Sequence, residues 1–154
     1  MGKAIDTNLG MIEKVSVEKM KFLYMESGND VASQKKKWPE FESKFPSLTG
    51  RKMYGLDYDK KGIYRTCSLV LDKDEGNDFG LRQFEFEGGQ YIRLRLKFEP
   101  PILFEKIGPA YDLLIKNYEE IINWEMPFIE HYKARNILDI MIPILEWILK
   151  NIVI

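Results

Sequence analysis

The sequence predicts an α+β fold made of two similar halves, at about residues 10–71 and 80–144, with antiparallel strands and two main helices around a central cleft. Residues 91–98 alternate strictly between apolar and polar side chains, which marks a half-buried strand. Apolar side chains at helical spacing form one stripe at Ile107, Tyr111, Leu114, Tyr118 and Ile121. A strand-strand-helix-strand unit, closed by one more strand, then occurs twice with an offset of roughly seventy residues, which is too long for a solenoid repeat.

In the first half, strands are predicted at residues 12–17 and 20–25, before a turn and helix-start signal at residues 27–30. A helix is expected from about Asp30, because Trp38, Phe41 and Phe45 recur at steps of three and four. Two prolines predict a kink or break, so the helix should end by Phe45. Two more strands are predicted at residues 52–57 and 63–71.

The second half repeats this order. A strand is predicted at residues 81–86, and Gly88-Gly89 forms the turn into the alternating strand. Two prolines after Glu99 end that strand, and the helix of the apolar stripe follows. Strands at residues 127–133 and 137–144 complete the half. Two such units should pair into one pseudo-symmetric body, with a ligand cleft where they meet.

Composition indicates one domain, residues 1–154, because the chain has 154 residues and is 45% apolar. The net charge of -1 favours neither nucleic acid nor an anionic membrane. Two local basic groups, residues 35–37 and the stripe of Arg93, Arg95 and Lys97, are interpreted as solvated faces. We therefore expect no direct nucleic-acid partner.

One cysteine and one histidine exclude a disulfide framework and a multi-histidine metal site, so neither metal nor cofactor is predicted. A Ser-His-Asp triad would have to use His131, and neither a nucleophile elbow nor a P-loop accompanies it. The apolar runs are too short for a membrane span, and no apolar signal region follows the first residue. The expectation is a cytoplasmic protein without membrane contact.

The most informative segment is Phe128-Ile-Glu-His-Tyr132. Because side chains alternate along a strand, Phe128, Glu130 and Tyr132 should share one face, and Ile129 and His131 the other. A carboxylate framed by two aromatic rings is suited to receive a cation. The alternative is that this face is solvated and Glu130 is simply hydrated.

Five segments in a fixed order resemble the GyrI-like family, over about residues 10 to 144. They are Tyr54-Gly-Leu-Asp-Tyr58, Gly88-Gly-Gln-Tyr91, Ala110-Tyr111, Phe128-Ile-Glu-His-Tyr132 and Asp139-Ile-Met-Ile-Pro-Ile144. The family includes effector-binding domains of AraC-type and MerR-type multidrug regulators, and free-standing domains. The resemblance implies a duplicated α/β body whose hydrophobic cleft binds bulky, often cationic aromatic compounds.

The resemblance also implies the site residues. Glu130 matches the family's cleft acid. This sequence departs from the family pattern by one residue, Ile129, which lies between Phe128 and Glu130. Tyr54, Tyr58 and Tyr91 match pocket-lining tyrosines. Asp139 either assists Glu130 or caps a strand end. Trp38 and Trp124, near the predicted helix ends, either roof the cleft or pack in the core. The predicted ligand-binding set is therefore Glu130, Tyr54, Tyr58, Tyr91, Phe128, Tyr132, Asp139 and Trp38.

Three functional hypotheses follow. The first, which we favour, is a stand-alone domain that senses or sequesters lipophilic cationic aromatic molecules, with any effect on DNA passing through a partner protein. The second is a hydrolase of reactive cyclopropane-bearing genotoxins, with Glu130 as general base. The third is a protein-interaction module like the relatives that inhibit DNA gyrase, using the acidic loop at residues 72–78. The apolar tail, residues 145–154, is expected to pack on its own chain or form a homodimer.

Overall fold

The computed structural model describes residues 5–145, so the predicted role of the tail lies almost wholly outside the described residues. Nine antiparallel strands form one sheet. They are β1 (Ile5–Asp6), β2 (Met11–Val17), β3 (Met20–Gly28), β4 (Met53–Tyr58), β5 (Ile63–Leu69), β6 (Arg82–Phe86), β7 (Gly89–Lys97), β8 (Phe128–Ala134) and β9 (Ile137–Pro143). The helices are α1 (Val31–Glu42), the short α2 (Ile102–Glu105) and α3 (Ile107–Tyr118). The predicted α+β fold is thus confirmed, with the strands and main helices close to their predicted positions.

The spatial order of the strands is β1-β2-β7-β9-β8-β4-β5-β3-β6. Apart from β1, this order has a two-fold pattern about the junction of β8 with β4. The first strand of each half lies in the sheet of the other half, because β2 pairs with β7 and β6 pairs with β3. The two halves are therefore interlocked into one continuous sheet and are not two separate sheets side by side.

Local signals explain where the helices begin. Asp30 adopts an extended conformation before α1, and its carboxylate accepts a hydrogen bond from the Ser33 backbone N–H at 3.0 Å. Such a cap satisfies one of the backbone donors that the first helical turn leaves free. α3 carries the predicted apolar stripe, and Ala110 and Leu114 from it are fully buried. Both helices therefore lie against the sheet through their apolar sides.

The two surfaces of the sheet have separate cores. The surface that the helices cover, here called the helix face, has one cluster under α2 and α3 and another under α1. The opposite surface, here called the second face, has its own cluster, which includes Phe22, Tyr54, Tyr91 and Ile129. Strand alternation separates the two sets, so the identity of a face decides which residues can meet in a site.

The acidic loop that the interaction hypothesis invoked is partly structural. Asp74 is buried and forms an ion pair with the buried Arg51 guanidinium. It also accepts a hydrogen bond from the Leu71 backbone N–H at 2.9 Å. This loop is therefore not a purely solvated acidic surface. Within residues 5–145, no helix is long and apolar enough to cross a membrane.

Candidate functional site

A cavity of about 890 Å³ lies on the helix face, above the junction of β4 with β8. Its walls come from α1, α2 and α3, and its floor from the two strands. The lining residues are Asn29, Val31, Gln34, Lys35, Trp38, Pro39, Glu42, Met53, Asp57, Phe104, Ile107, Gly108, Tyr111, Glu130 and Tyr132. This volume lies within the range of ordinary small-molecule pockets.

The floor of the cavity centres on the carboxylate of Glu130, which is only 4% exposed. Its Oε1 accepts hydrogen bonds from the hydroxyls of Tyr64 at 2.8 Å and Tyr132 at 2.7 Å. Its Oε2 accepts one from the hydroxyl of Tyr111 at 3.1 Å. Strands β5 and β8 and helix α3 supply these donors, so the carboxylate is held in one orientation from three sides.

An indole extends this network toward α1. Nε1 of Trp38 donates to the Tyr64 hydroxyl at 3.3 Å, and that hydroxyl donates to Glu130. The Trp38 ring also meets the Tyr132 ring edge to face, with 5.3 Å between the centroids. Aromatic surface therefore surrounds an acid whose oxygens face only neutral donors.

Glu130 has no ion-pair partner among residues 5–145. Burial raises its pKa above the ordinary value, and the hydrogen bonds from Tyr132, Tyr64 and Tyr111 oppose that rise. A buried carboxylate without a counter-charge is costly. The ionised form of Glu130 is therefore costly, and no basic side chain among residues 5–145 offsets that cost by an ion pair.

A second acid, Asp57, lines the same cavity. Burial raises the pKa of Asp57 to about 6; the hydrogen bond from Asn29 opposes this shift, and the charges of Glu130 and Asp59 add to it. Nδ2 of Asn29 donates to Oδ1 of Asp57 at 3.2 Å. The cavity therefore contains two carboxyl groups whose pKa values are raised by burial, while the one lysine in its lining, Lys35, has an exposed side chain.

Gly55 makes this arrangement sterically possible. It pairs with Glu130 across the junction of β4 and β8. A Cβ at this position would lie 1.9 Å from the Tyr64 hydroxyl oxygen and 3.0 Å from Oε1 of Glu130. Only glycine leaves room for the Tyr64 ring to cross β4 and reach the carboxylate.

Gly55→Ala is accordingly expected to displace Tyr64 from Glu130 and to lower the free energy of unfolding by about 1–3 kcal/mol, the usual cost of overfilling a packed site. Urea denaturation measures this cost. Gly108→Ala is the control, since a Cβ there meets nothing within 4 Å. Equal stability of the Gly55→Ala variant and the wild type would contradict the steric role.

The structure brings three of the predicted site residues together in the cavity: Glu130, Tyr132 and Trp38. Phe128 shares their face, but it is buried beneath Tyr111 and Trp124 and does not line the cavity. The predicted division of β8 into two faces is therefore confirmed. Whether these residues bind a ligand stays a prediction.

Four predicted residues lie elsewhere, on the second face. Tyr54 and Tyr58 alternate with Gly55 and Asp57 along β4, so they point away from Glu130. Tyr91 is fully buried and donates to the Pro127 carbonyl at 2.8 Å. Asp139 accepts two hydrogen bonds from the Arg95 guanidinium, at 2.7 and 2.9 Å. The prediction that these four residues share the cleft with Glu130 was wrong, because the order of motifs does not specify which face a residue occupies.

The basic stripe also differs from its prediction. Arg93 and Arg95 are half-buried and form ion pairs with Glu13 and Asp139 respectively, so this part of the stripe is not simply solvated.

Three parts of the site were not predicted as such: Tyr64, Asp57 and the steric role of Gly55. A signal for them existed in β4. Glycine inside a strand marks the close approach of another group, and here that group is the Tyr64 hydroxyl. Asp57 follows two residues later on the same face. Tyr111 belongs to the predicted apolar stripe of α3, and its hydroxyl donates to Glu130.

Among residues 5–145, no group of three or more His, Cys, Asp or Glu side chains is arranged to hold a metal ion. His131 lies on the second face, stacked on Tyr54 at 4.2 Å between ring centroids, so it is not a base for chemistry in the cavity. The groups available there are two carboxylates, tyrosine hydroxyls and aromatic rings. This set suits the recognition of a cation.

Comparison of the sequence with family models and with curated proteins gives no match. The structure resembles SAV2435 bound to tetraphenylphosphonium, with a TM-score of 0.62 and 11% identity, over 91% of this chain and 97% of the other. It also resembles the EcmrR C-terminal domain, with a TM-score of 0.61 and 16% identity, over 87% of this chain and 96% of the other. A hydrolase from Listeria innocua is similar at a TM-score of 0.50 and 11% identity, over 87% of this chain and 91% of the other.

At these identities the comparisons establish a shared fold. The shared α+β fold is consistent with the fold that the resemblance to the GyrI-like family implied.

Proposed function

We propose that the protein binds bulky lipophilic cations in the cavity on the helix face. The observation that carries this proposal is the carboxylate of Glu130, buried on the floor of an aromatic-lined cavity without an ion-pair partner among residues 5–145. A hydrophobic cation would supply the missing charge and lose less hydration than a metal ion or an ammonium group. SAV2435, which shares the fold, was solved with such a cation bound.

The aromatic walls add to the electrostatic attraction. Trp38, Tyr111 and Tyr132 line the cavity, and a good cation–π contact contributes about 0.5–2 kcal/mol. Such contacts require no fixed ligand shape. The site should therefore accept a range of aromatic cations, as a multidrug-type effector site does.

The proposed biological role is sensing or sequestration of such molecules in the cytoplasm. EcmrR, whose C-terminal domain shares the fold, was also solved in a complex with DNA, and this likeness supports a link to transcriptional regulation. The regulatory part of the proposal rests on it.

Hydrolysis is the second candidate, and two observations favour it. Glu130, the general base of that hypothesis, lines a cavity of small-molecule size together with Trp38. Burial also raises the pKa of Glu130, the direction that suits a general base. In this mechanism Glu130 would orient a water molecule toward a bound electrophile.

Titration with two ions of the same shape and opposite charge tests the proposed function. Tryptophan fluorescence should report binding of tetraphenylphosphonium and none of tetraphenylborate. The affinity for the cation should rise as the pH rises through about 6, because Asp57 then loses its proton and adds a negative charge. Equal binding of both ions would contradict a charge-based site.

Mass analysis of recovered ligands separates the two candidates. A binding protein returns an aromatic cation unchanged, and a hydrolase converts a cyclopropane-bearing substrate by addition of water. Conversion that Glu130→Gln abolishes would establish the second candidate over the first.

A further inference from the structure

The second face of the sheet has a groove of its own, with a volume of about 510 Å³. Its floor includes Tyr54 from β4 and His131 from β8. The end of β2, the turn at residues 18–19 and the start of β3 form one side. The groove lies on the reverse of the two strands that form the floor of the cation cavity, so the two sites are separated by the sheet.

Basic side chains dominate the lining of this groove. They are Lys19, Lys52, Arg93 and Lys133, against the two acids Glu18 and Asp139. Asp139 is already paired with Arg95, which reduces the negative charge available to the groove. The groove therefore has a net positive charge, in a chain whose overall charge is -1.

Two of these cations have no counter-charge. Lys19 pairs with Glu85, and Arg93 pairs with Glu13. Lys52 and Lys133, by contrast, form no ion pair with any of residues 5–145. Their ammonium groups are available to a ligand.

The two unpaired lysines are neighbours across the central strands. Met53, the first residue of β4, pairs with Tyr132, so Lys52 just before β4 and Lys133 in β8 lie one position beyond that pair. Like charges at such positions destabilise a sheet. An anion bound between the two ammonium groups would replace this repulsion with attraction.

Positive charges also surround His131 on the floor of the groove. Burial lowers the pKa of His131 to about 4, and the charges of Lys133, Lys52 and Arg95 contribute to that shift while Asp139 opposes it. The imidazole is thus neutral near pH 7 and carries one N–H donor.

Polar groups on the floor are also unused. Among residues 5–145, neither the Tyr54 hydroxyl nor the His131 ring has a hydrogen-bond partner, and neither is a fully buried polar group, so both can be reached from the groove. Nε of Arg93 is fully buried and has no partner. A buried donor without a partner is unusual in a folded protein and marks a place where a ligand or water completes the hydrogen bonding.

We propose that this groove binds a small anion with two or more phosphate or carboxylate groups, held between Lys52 and Lys133 and hydrogen-bonded by Tyr54 and His131. The volume suits a ligand of small-molecule size. The inference is independent of the proposed cation site, because it concerns the opposite face and the opposite charge.

Isothermal titration of the full chain with pyrophosphate and with citrate at low ionic strength tests the proposal. At least one of them should bind with a Kd of about 1 mM or tighter. The double variant Lys52→Gln/Lys133→Gln should weaken binding by about tenfold or more. Lys60→Gln/Lys61→Gln is the control, because it removes the same charge at the other end of β4, outside the groove.

Circular dichroism of both double variants checks that they fold, and tetraphenylphosphonium serves as a probe of the helix face. Equal weakening of anion binding in the two double variants would show non-specific attraction and overturn the proposal. Absence of heat with both anions up to about 10 mM would overturn it as well. Binding of a single-stranded oligonucleotide but of neither small anion would reassign the groove to a nucleic-acid backbone.

Discussion

Glu130→Gln is expected to lower the affinity for tetraphenylphosphonium by about tenfold to a hundredfold, since an interaction with a charged group contributes about 1.5–3 kcal/mol. The variant keeps the size and shape of the side chain and removes only its charge. Fluorescence titration measures the loss. Glu125→Gln is the matched control, because its side chain is 74% exposed and lies outside the cavity.

The same variant should fold at least as well as the wild type. The amide oxygen of glutamine can accept from Tyr64 and Tyr132, and its NH₂ group can donate to the Tyr111 hydroxyl. Burial raises the folded-state pKa of Glu130, so its ionisation opposes folding increasingly as the pH rises above the unfolded-state pKa. At neutral pH, the free energy of unfolding should be equal or higher in Glu130→Gln. Unchanged cation affinity in this stable variant would show that the site has been misplaced.

Asp74→Ala is expected to lower the free energy of unfolding by about 3–5 kcal/mol, the usual cost of removing one partner from a buried ion pair. The Arg51 guanidinium, with a side chain only 2% exposed, donates to Asp74 at 2.5 and 2.9 Å. It also lies 4.1 Å from the Phe45 ring centroid and 5.1 Å from that of Phe79. Without Asp74, this charge would remain buried and unpaired.

Urea denaturation measures that cost, and Asp72→Ala in the same loop is the control because its side chain is exposed. The hydrogen bonds from Arg51 lower the pKa of Asp74. The stabilisation is therefore present above the unfolded-state pKa and is lost as the pH falls through the folded-state value. A difference between the two variants below about 1 kcal/mol would contradict a structural role for the pair.

Local patterns predicted the elements well. The alternation in β7 and the apolar stripe in α3 depend on contacts within one segment, and both appear where the sequence indicated. Alternation likewise predicted that Phe128, Glu130 and Tyr132 share a face. A strand has only two faces, so the alternation of side chains is enough to predict which residues lie beside Glu130 on its face.

Local patterns did not predict which strands pair with one another. The exchange of β2 and β6 between the halves depends on contacts between segments distant in sequence, for which the repeat itself contains no signal. The four misassigned residues, Tyr54, Tyr58, Tyr91 and Asp139, have a related cause. Their motifs occur in the expected order. That these residues lie on the second face, however, depends on which strands pair and on which side of the sheet the helices cover.

The sequence by itself determined the fold class, the positions of the strands and main helices, and the choice of Glu130 as the central acid. Only the tertiary structure decided the partners of that acid: the hydroxyls of Tyr64, Tyr132 and Tyr111 approach it from three elements. It also decided that the cavity includes Asp57 and that a basic groove lies on the reverse of the same strands. The physical reason is that periodicity is a local property of a segment, whereas burial, charge pairing and hydrogen bonding depend on segments that meet only after folding.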